Sequence, residues 1–139
     1  GQYIAGMGFS NVGLGIVHSM AHPLSAVYDI PHGVACAILL TPVLKFNAPS
    51  TADKYRDIAV AMGVKNTEDM SIEQARQACI EAVEKLSVDV GIPQELTQLG
   101  VKEEDLQFLS ESAFVDACTP GNPRDVSVEA IKEIYKSIM

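Results

Sequence analysis

The sequence predicts an all-α domain, and three observations carry that prediction. Apolar residues recur at intervals of three and four along most of the chain, the period of helices that bury one face. No stretch shows the sustained alternation of apolar and polar residues that marks a half-buried strand. Glycine and proline cluster where those periods lapse, at Gly63, at Gly91 and Pro93, and through residues 119–123.

Taken in order, Val12, Ile16, Met20 and Leu24 share one helical stripe, so a first helix is expected to begin near Asn11 after a glycine-rich opening. Pro23 should kink or end it, with His22 pushed from ideal helical geometry by the ring that follows. Asp29-Ile30-Pro31 reads as a fresh start, an acidic cap and then a proline suited to a first turn. The apolar run over residues 34–44 continues as a deeply buried helix, bent at Pro42. Residues 51–62 form the next helix, with Tyr55, Ile58, Ala59 and Met62 on one face and Gly63 as its stop. Ser71 and Gln74 stand at capping-box spacing and open a helix that turns Ile72, Ala75, Cys79, Ala82, Val83, Leu86 and Val90 inward before Gly91. After a short piece at residues 94–99, a helix over residues 102–117 aligns Leu106, Leu109, Ala113 and Ala117. Ser127 caps the last one, whose stripe is Val128, Ile131, Tyr135 and Ile138. The expected architecture is a bundle of about six or seven helices forming one domain over residues 1–139.

Composition narrows the function. Of 139 residues, 47% are hydrophobic and 20% charged, which suits a folded core. A net charge of −8 argues against a nucleic-acid partner, since phosphate binding needs a basic face. Cys36, Cys79 and Cys118 lack CxxC spacing and read as reduced thiols in a cytoplasmic protein. Before residue 51 the only charged side chains are Asp29 and Lys45. Polar residues and prolines interrupt every apolar run of membrane-spanning length there, so no membrane is expected. Residues 1–47 instead read as a buried layer packed against a segment outside this chain. The start at Gly1, with no initiator Met and no export leader, likewise reads as a fragment.

All three histidines, His18, His22 and His32, fall within this uncharged layer. His18 and His22 are spaced to share a helix face, and His32 opens the following helix, where a turn can fold it back. Neutral imidazoles suit zinc, iron, copper or nickel. The stretch from His18 to His22 lacks the glutamate of a zincin, and two or three nitrogens do not complete a four-ligand shell. A free-standing three-histidine metal module and a structural helical domain with satisfied core histidines both remain open at this point.

Longer motifs point to one family. Gly6-Met7-Gly8-Phe9-Ser10-Asn11, the run from Gly13 through His18 and His22 to Leu24, and Pro31-His32-Gly33-Val34-Ala35 together resemble the signature of the iron-containing alcohol dehydrogenases. The likeness continues through Lys54-Tyr55-Arg56-Asp57-Ile58-Ala59, Asp89-Val90-Gly91-Ile92-Pro93 and Thr119-Pro120-Gly121-Asn122-Pro123-Arg124. Within the family the chain is most similar to the branch acting on lactaldehyde and propane-1,2-diol. The resemblance implies that this is the helical C-terminal domain, detached from an upstream α/β domain that binds NAD or NADP. It implies His18 and His32 as ligands of iron or zinc, with an Asp and a His supplied from upstream. His22 would lie beside the nicotinamide and substrate, contacting the cofactor and moving a proton in the chemistry. Phe9, Leu14 and Cys118 match positions that line the substrate pocket. The implied activity is interconversion of short-chain alcohols or diols with aldehydes by a homo-oligomeric full-length enzyme, the isolated fragment being inactive. The Asn122-Pro123-Arg124 stretch reads as a capped turn with a solvated arginine. Gly13-Leu14-Gly15 lacks the third glycine of a dinucleotide fingerprint.

Overall fold

A computed structural model describes every residue from Gly1 to Met139. It contains seven α-helices and five short 3-10 turns, with no strand, in agreement with the expected all-α class. The helices are α1 (Gln2–Val12), α2 (Ile16–Tyr28), α3 (His32–Asn47), α4 (Lys54–Ala61), α5 (Ile72–Asp89), α6 (Leu106–Phe114) and α7 (Val128–Lys136).

The main core lies between α2, α3, α6 and α7. Ile16, Met20 and Leu24 of α2 are fully buried against Leu39 of α3, Leu106 and Leu109 of α6, and Ile131 of α7. Each such side chain contributes roughly 1.5–3 kcal/mol on leaving water, so this stripe is the main source of cohesion. Tyr135 is wholly buried and donates its hydroxyl to the Met20 carbonyl at 2.6 Å. That bond ties α7 to the middle of α2. A smaller core joins α4 to α5 through Tyr55, Ala59, Cys79 and Ile80. Burial pushes the Tyr55 phenol up to about 12, which keeps it a donor to the Leu44 carbonyl at 2.9 Å.

Several boundaries differ from expectation. The glycine-rich opening is helical (α1), and the break falls at residues 13–15, so no helix begins at Asn11. Gly13 takes a left-handed φ of 82°, and a Cβ on Gly15 would press within 3.1 Å of the Asn122 amide oxygen. Gly13 is favoured there by its backbone, and Gly15 lets the start of α2 lie close to Asn122. Pro23 and Pro42 both lie inside continuous helices. Asp29 does not cap α3: it ends α2 in the left-handed conformation, at φ 54° and ψ 27°, and Pro31 precedes α3 without any side-chain cap. α1 has no residue buried within this chain, with Tyr3 75% and Val12 80% exposed, so its apolar side chains stand open on the surface.

The capping box of Ser71 and Gln74 forms as expected, with both bonds present. Ile72, Leu86 and Val90, however, are exposed. α4 is only about 12 Å long against roughly 27 Å for α5, so the ends of α5 run past its cover. α6 stops at Phe114, which leaves Ala117 exposed in the following loop. The Ser127 cap on α7 is present, its hydroxyl accepting from the Ala130 amide at 3.2 Å. The stretch His32–Ser50 has the length and mean hydropathy, 1.2, of a membrane span, but Ile38, Leu39 and Val43 within it pack into the core.

The loop after α6 is tied to the start of α2 and the end of α3 by Asn122. Its side-chain amide pairs reciprocally with Asn47, at 2.9 and 2.8 Å, and also donates to the Arg124 carbonyl at 2.7 Å. Arg124 is exposed, as the sequence suggested, but it is also tied to the end of α3. Its guanidinium donates to the Phe46 carbonyl at 2.6 Å and lies 4.2 Å over the Phe46 ring. Gly121 leaves no room for a Cβ against the Leu14 carbonyl, which sets how closely this loop approaches the start of α2. Asn122→Ala should lower the unfolding free energy by about 2–3 kcal/mol, because it strands the buried Asn47 amide. Urea unfolding followed by circular dichroism measures this, and a loss below 0.5 kcal/mol, on the order of an ordinary surface change, would contradict it.

Candidate metal centre

Three imidazoles converge at one end of the α2–α3 pair. On α2, His18 and His22 each stand two residues beyond a buried position, Ile16 and Met20, or about 200° round the helix from the core stripe. They consequently face away from the core: His18 is half-buried and His22 exposed. The tight reversal at Asp29 then returns the chain so that His32, the first residue of α3, meets them. Ring centroids are 5.4 Å apart for His18 and His32, 5.5 Å for His22 and His32, and 6.4 Å for His18 and His22. His32 is also exposed, so the cluster opens to the surface and these are not satisfied core histidines.

Two sets of donor atoms occupy this end. In the first, His18, His32 and Cys36 place one ligand atom each within 4.8 Å of one another. In the second, His22, Asp116 and Cys118 do the same. Burial, followed by the neighbouring His32 and His22, lowers the pKa of His18 despite a smaller opposing pull from Asp116. Its imidazole is thus neutral at neutral pH, the form that ligates a metal. The donors of the first set, two nitrogens and a sulfur, fit a divalent transition ion in both chemistry and spacing.

Asp116 was not singled out by the sequence. Its Oδ2 accepts from His22 Nδ1 at 2.8 Å, and its Oδ1 accepts from the Cys118 amide at 2.8 Å. Burial is the largest single influence on this carboxyl and pulls its pKa upward, but the Cys118 amide and His22 together outweigh it and hold the group below the usual range. Cys118 is pushed up by burial and by the Asp116 charge, so it is a neutral thiol. An acidic residue two positions before Cys118, in a loop fastened by Asn122, carries no signal until that loop is placed.

Of the residues expected to line a pocket, Cys118 lies with His22 and Asp116. Phe9 stands on exposed α1 with its ring over Gly6, and the Leu14 carbonyl lies against Gly121. A cleft of about 240 Å³ does open beside His22, lined by Pro23, Ala26, Val27, Phe108, Ser112 and Asp116.

Because Asp116 accepts at Nδ1, His22 should carry its proton there and leave Nε2 free. Nitrogen-15 NMR of the imidazole is expected to show the Nδ1–H tautomer, reverting toward Nε2–H in Asp116→Ala. An Nε2–H tautomer in the unaltered protein would refute the pairing.

Comparison with known proteins bears on this geometry. Residues 1–139 match the family described as "Fe-containing alcohol dehydrogenase family, C-terminal". The chain is 59% identical over 135 residues to lactaldehyde reductase of Escherichia coli K12, covering 97% of this chain and 35% of that protein. It is 45% identical over 133 residues to 1,3-propanediol dehydrogenase of Citrobacter freundii, covering 96% and 34% respectively. Among solved structures, an alcohol dehydrogenase from Oenococcus oeni superposes with a TM-score of 0.92 at 39% identity, over 97% of this chain and 35% of that one. The chain therefore spans about a third of the length of the relatives it matches.

Proposed function

The chain belongs to the Fe-containing alcohol dehydrogenase family, matching its C-terminal part, and on that premise we propose that it is the metal-binding half of an oxidoreductase. The reaction is the interconversion of a short-chain alcohol or diol with the corresponding aldehyde. Likeness to a lactaldehyde reductase and a 1,3-propanediol dehydrogenase supports substrates of that size and polarity. The observation that carries the reading is the convergence of three imidazoles, none of them buried in the core, at one end of two packed helices.

In this reading His18 and His32 hold the ion, and an Asp and a His from a preceding segment of the full-length protein complete its shell. That segment also folds as the α/β domain binding most of the dinucleotide, NAD or NADP. When bound, divalent iron or zinc supplies Lewis acidity toward a carbonyl or alcohol oxygen, and the nicotinamide gives or takes the hydride.

The remaining work falls to this chain's own residues. His22 holds a proton on Nδ1 against Asp116 and presents Nε2 as the nitrogen that takes or gives a proton at the substrate oxygen. In the same reading His22 also contacts the cofactor. Asp116 plays the orienting part, tied in turn to the Cys118 amide. The cleft beside His22 offers Val27 and Phe108 to exclude water from a small substrate, with Cys118, Phe9 and Leu14 as further wall once the preceding domain is in place. The free thiols of Cys36, Cys79 and Cys118 suit a reducing compartment, the cytoplasm. Oligomerisation of the full-length protein belongs to the same reading.

The histidine roles separate cleanly by experiment. In the full-length protein, His18→Ala and His32→Ala should each lower bound metal about tenfold or more and abolish turnover. His22→Ala should keep its metal and lose about 10²-fold or more in kcat, the scale of a missing general acid–base group. Metal analysis alongside steady-state kinetics decides the matter. Full metal content in both His18→Ala and His32→Ala would overturn the assignment.

A further inference from the structure

Two rungs join α2 to the loop that follows α6. The outer rung is His22 to Asp116, at 2.8 Å. The inner one is Ser19 to Thr119, hydroxyl to hydroxyl, also at 2.8 Å. The rungs are spaced alike on both sides, three residues apart on α2 and three on the loop. Their surroundings differ: His22 is exposed, whereas Ser19 and Thr119 are both buried. A buried hydroxyl has no water to turn to, so the inner rung keeps its partners, while the outer one competes with solvent.

The inner rung also governs the backbone on either side of Asp116. Thr119 has one hydroxyl proton, and the Ala113 carbonyl 2.7 Å away can only accept. Thr119 therefore donates to Ala113 and accepts from Ser19. The same Ala113 carbonyl accepts the Asp116 amide at 3.2 Å, and the Asp116 carbonyl accepts the Thr119 amide at 3.1 Å. Asp116 is thus fastened at its amide and its carbonyl within the turn that the Thr119 hydroxyl closes. We propose that Thr119, with Ser19 as its partner, is a positioning residue for proton transfer at His22. The buried rung sets where the Asp116 carboxylate meets Nδ1, and with it which ring nitrogen is left free. This rests on the reading that His22 moves a proton at the substrate oxygen. Thr119 acts through Asp116 and not on the substrate itself.

The test uses the full-length, zinc-loaded protein and a pair of variants. Thr119→Val keeps the shape of the side chain and removes the hydroxyl, and Thr119→Ser keeps the hydroxyl. In Thr119→Val, kcat should fall about tenfold or more, toward the roughly 10²-fold cost of a misplaced catalytic group. KM for the alcohol and the metal content should stay within about twofold, the signature of a loss confined to the transition state. Nitrogen-15 spectra should show His22 moving from the Nδ1–H tautomer toward a mixture of the two. Thr119→Ser should restore both kcat and the tautomer. Unchanged kcat and tautomer in Thr119→Val overturn the proposal, as does a Thr119→Ser protein as impaired as Thr119→Val. A fall in kcat with the tautomer unmoved, or with metal lost in proportion, shows a merely structural role and also overturns it. Should Thr119→Val fail to fold, Ser19→Ala carries the same test, and an unchanged tautomer and kcat there overturn the proposal. If Asp116→Ala shifts kcat and the tautomer while Thr119→Val shifts neither, this inference alone fails. If Asp116→Ala shifts neither, the reading of His22 beneath it fails as well.

Discussion

The reciprocal amide pair between Asn47 and Asn122 is the constraint on which the candidate site depends. Asn47 ends α3 and is nearly buried, and Asn122 lies in the loop that follows α6. Two side-chain amides facing each other satisfy donor and acceptor on both sides, so neither is left stranded away from water. The same Asn122 oxygen lies 3.5 Å from the Ile16 amide at the start of α2. One side chain thereby fixes the beginning of the helix that carries His18 and His22, the end of the helix that carries His32, and the loop that carries Asp116 and Cys118. Arg124 adds a second tie to the end of α3 through the Phe46 carbonyl and ring.

The site follows from that arrangement by short steps. α2 spends one stripe on the core and turns the opposite one outward, which is where the histidines sit. The left-handed Asp29 reverses the chain at once, so His32 arrives beside them at the first turn of α3. The loop after α6 is held in place by the Thr119 hydroxyl, bonded to the Ser19 hydroxyl at 2.8 Å and to the Ala113 carbonyl at 2.7 Å. With Thr119 fixed, Asp116 reaches His22 and the Cys118 amide reaches Asp116. Structure and chemistry meet here: the bonds that close the loop are also those that set which nitrogen of His22 is free.

Much of this was legible in the amino-acid sequence, and the reasons for success and failure are physical. Helical periods identified α2 through α7 because a buried stripe leaves its spacing in the residues, as Ile16, Met20 and Leu24 do. The capping box at Ser71 and Gln74 is local chemistry and needed no tertiary knowledge. α1 was missed because its glycines depress helix propensity and it buries no face from which a period could be read. Pro23 does not end α2, and Pro42 likewise lies within α3, since tertiary packing outweighs one missing hydrogen bond in each. The histidine cluster was visible from the spacing of His18, His22 and His32. Asp116, Cys36 and the Asn47–Asn122 pair join residues far apart in the chain or one turn along a helix with no motif around them. Only the fold brings such partners together.

Anomalous diffraction from crystals of the full-length protein, collected at the iron and zinc absorption edges, tests the central claim most directly. The account predicts one strong peak per chain, with His18 and His32 nitrogens about 2.0–2.2 Å from it and His22 outside that shell, still paired to Asp116. A chain with no peak between His18 and His32, or one whose ion is held by His22 while those two side chains turn away, would contradict it.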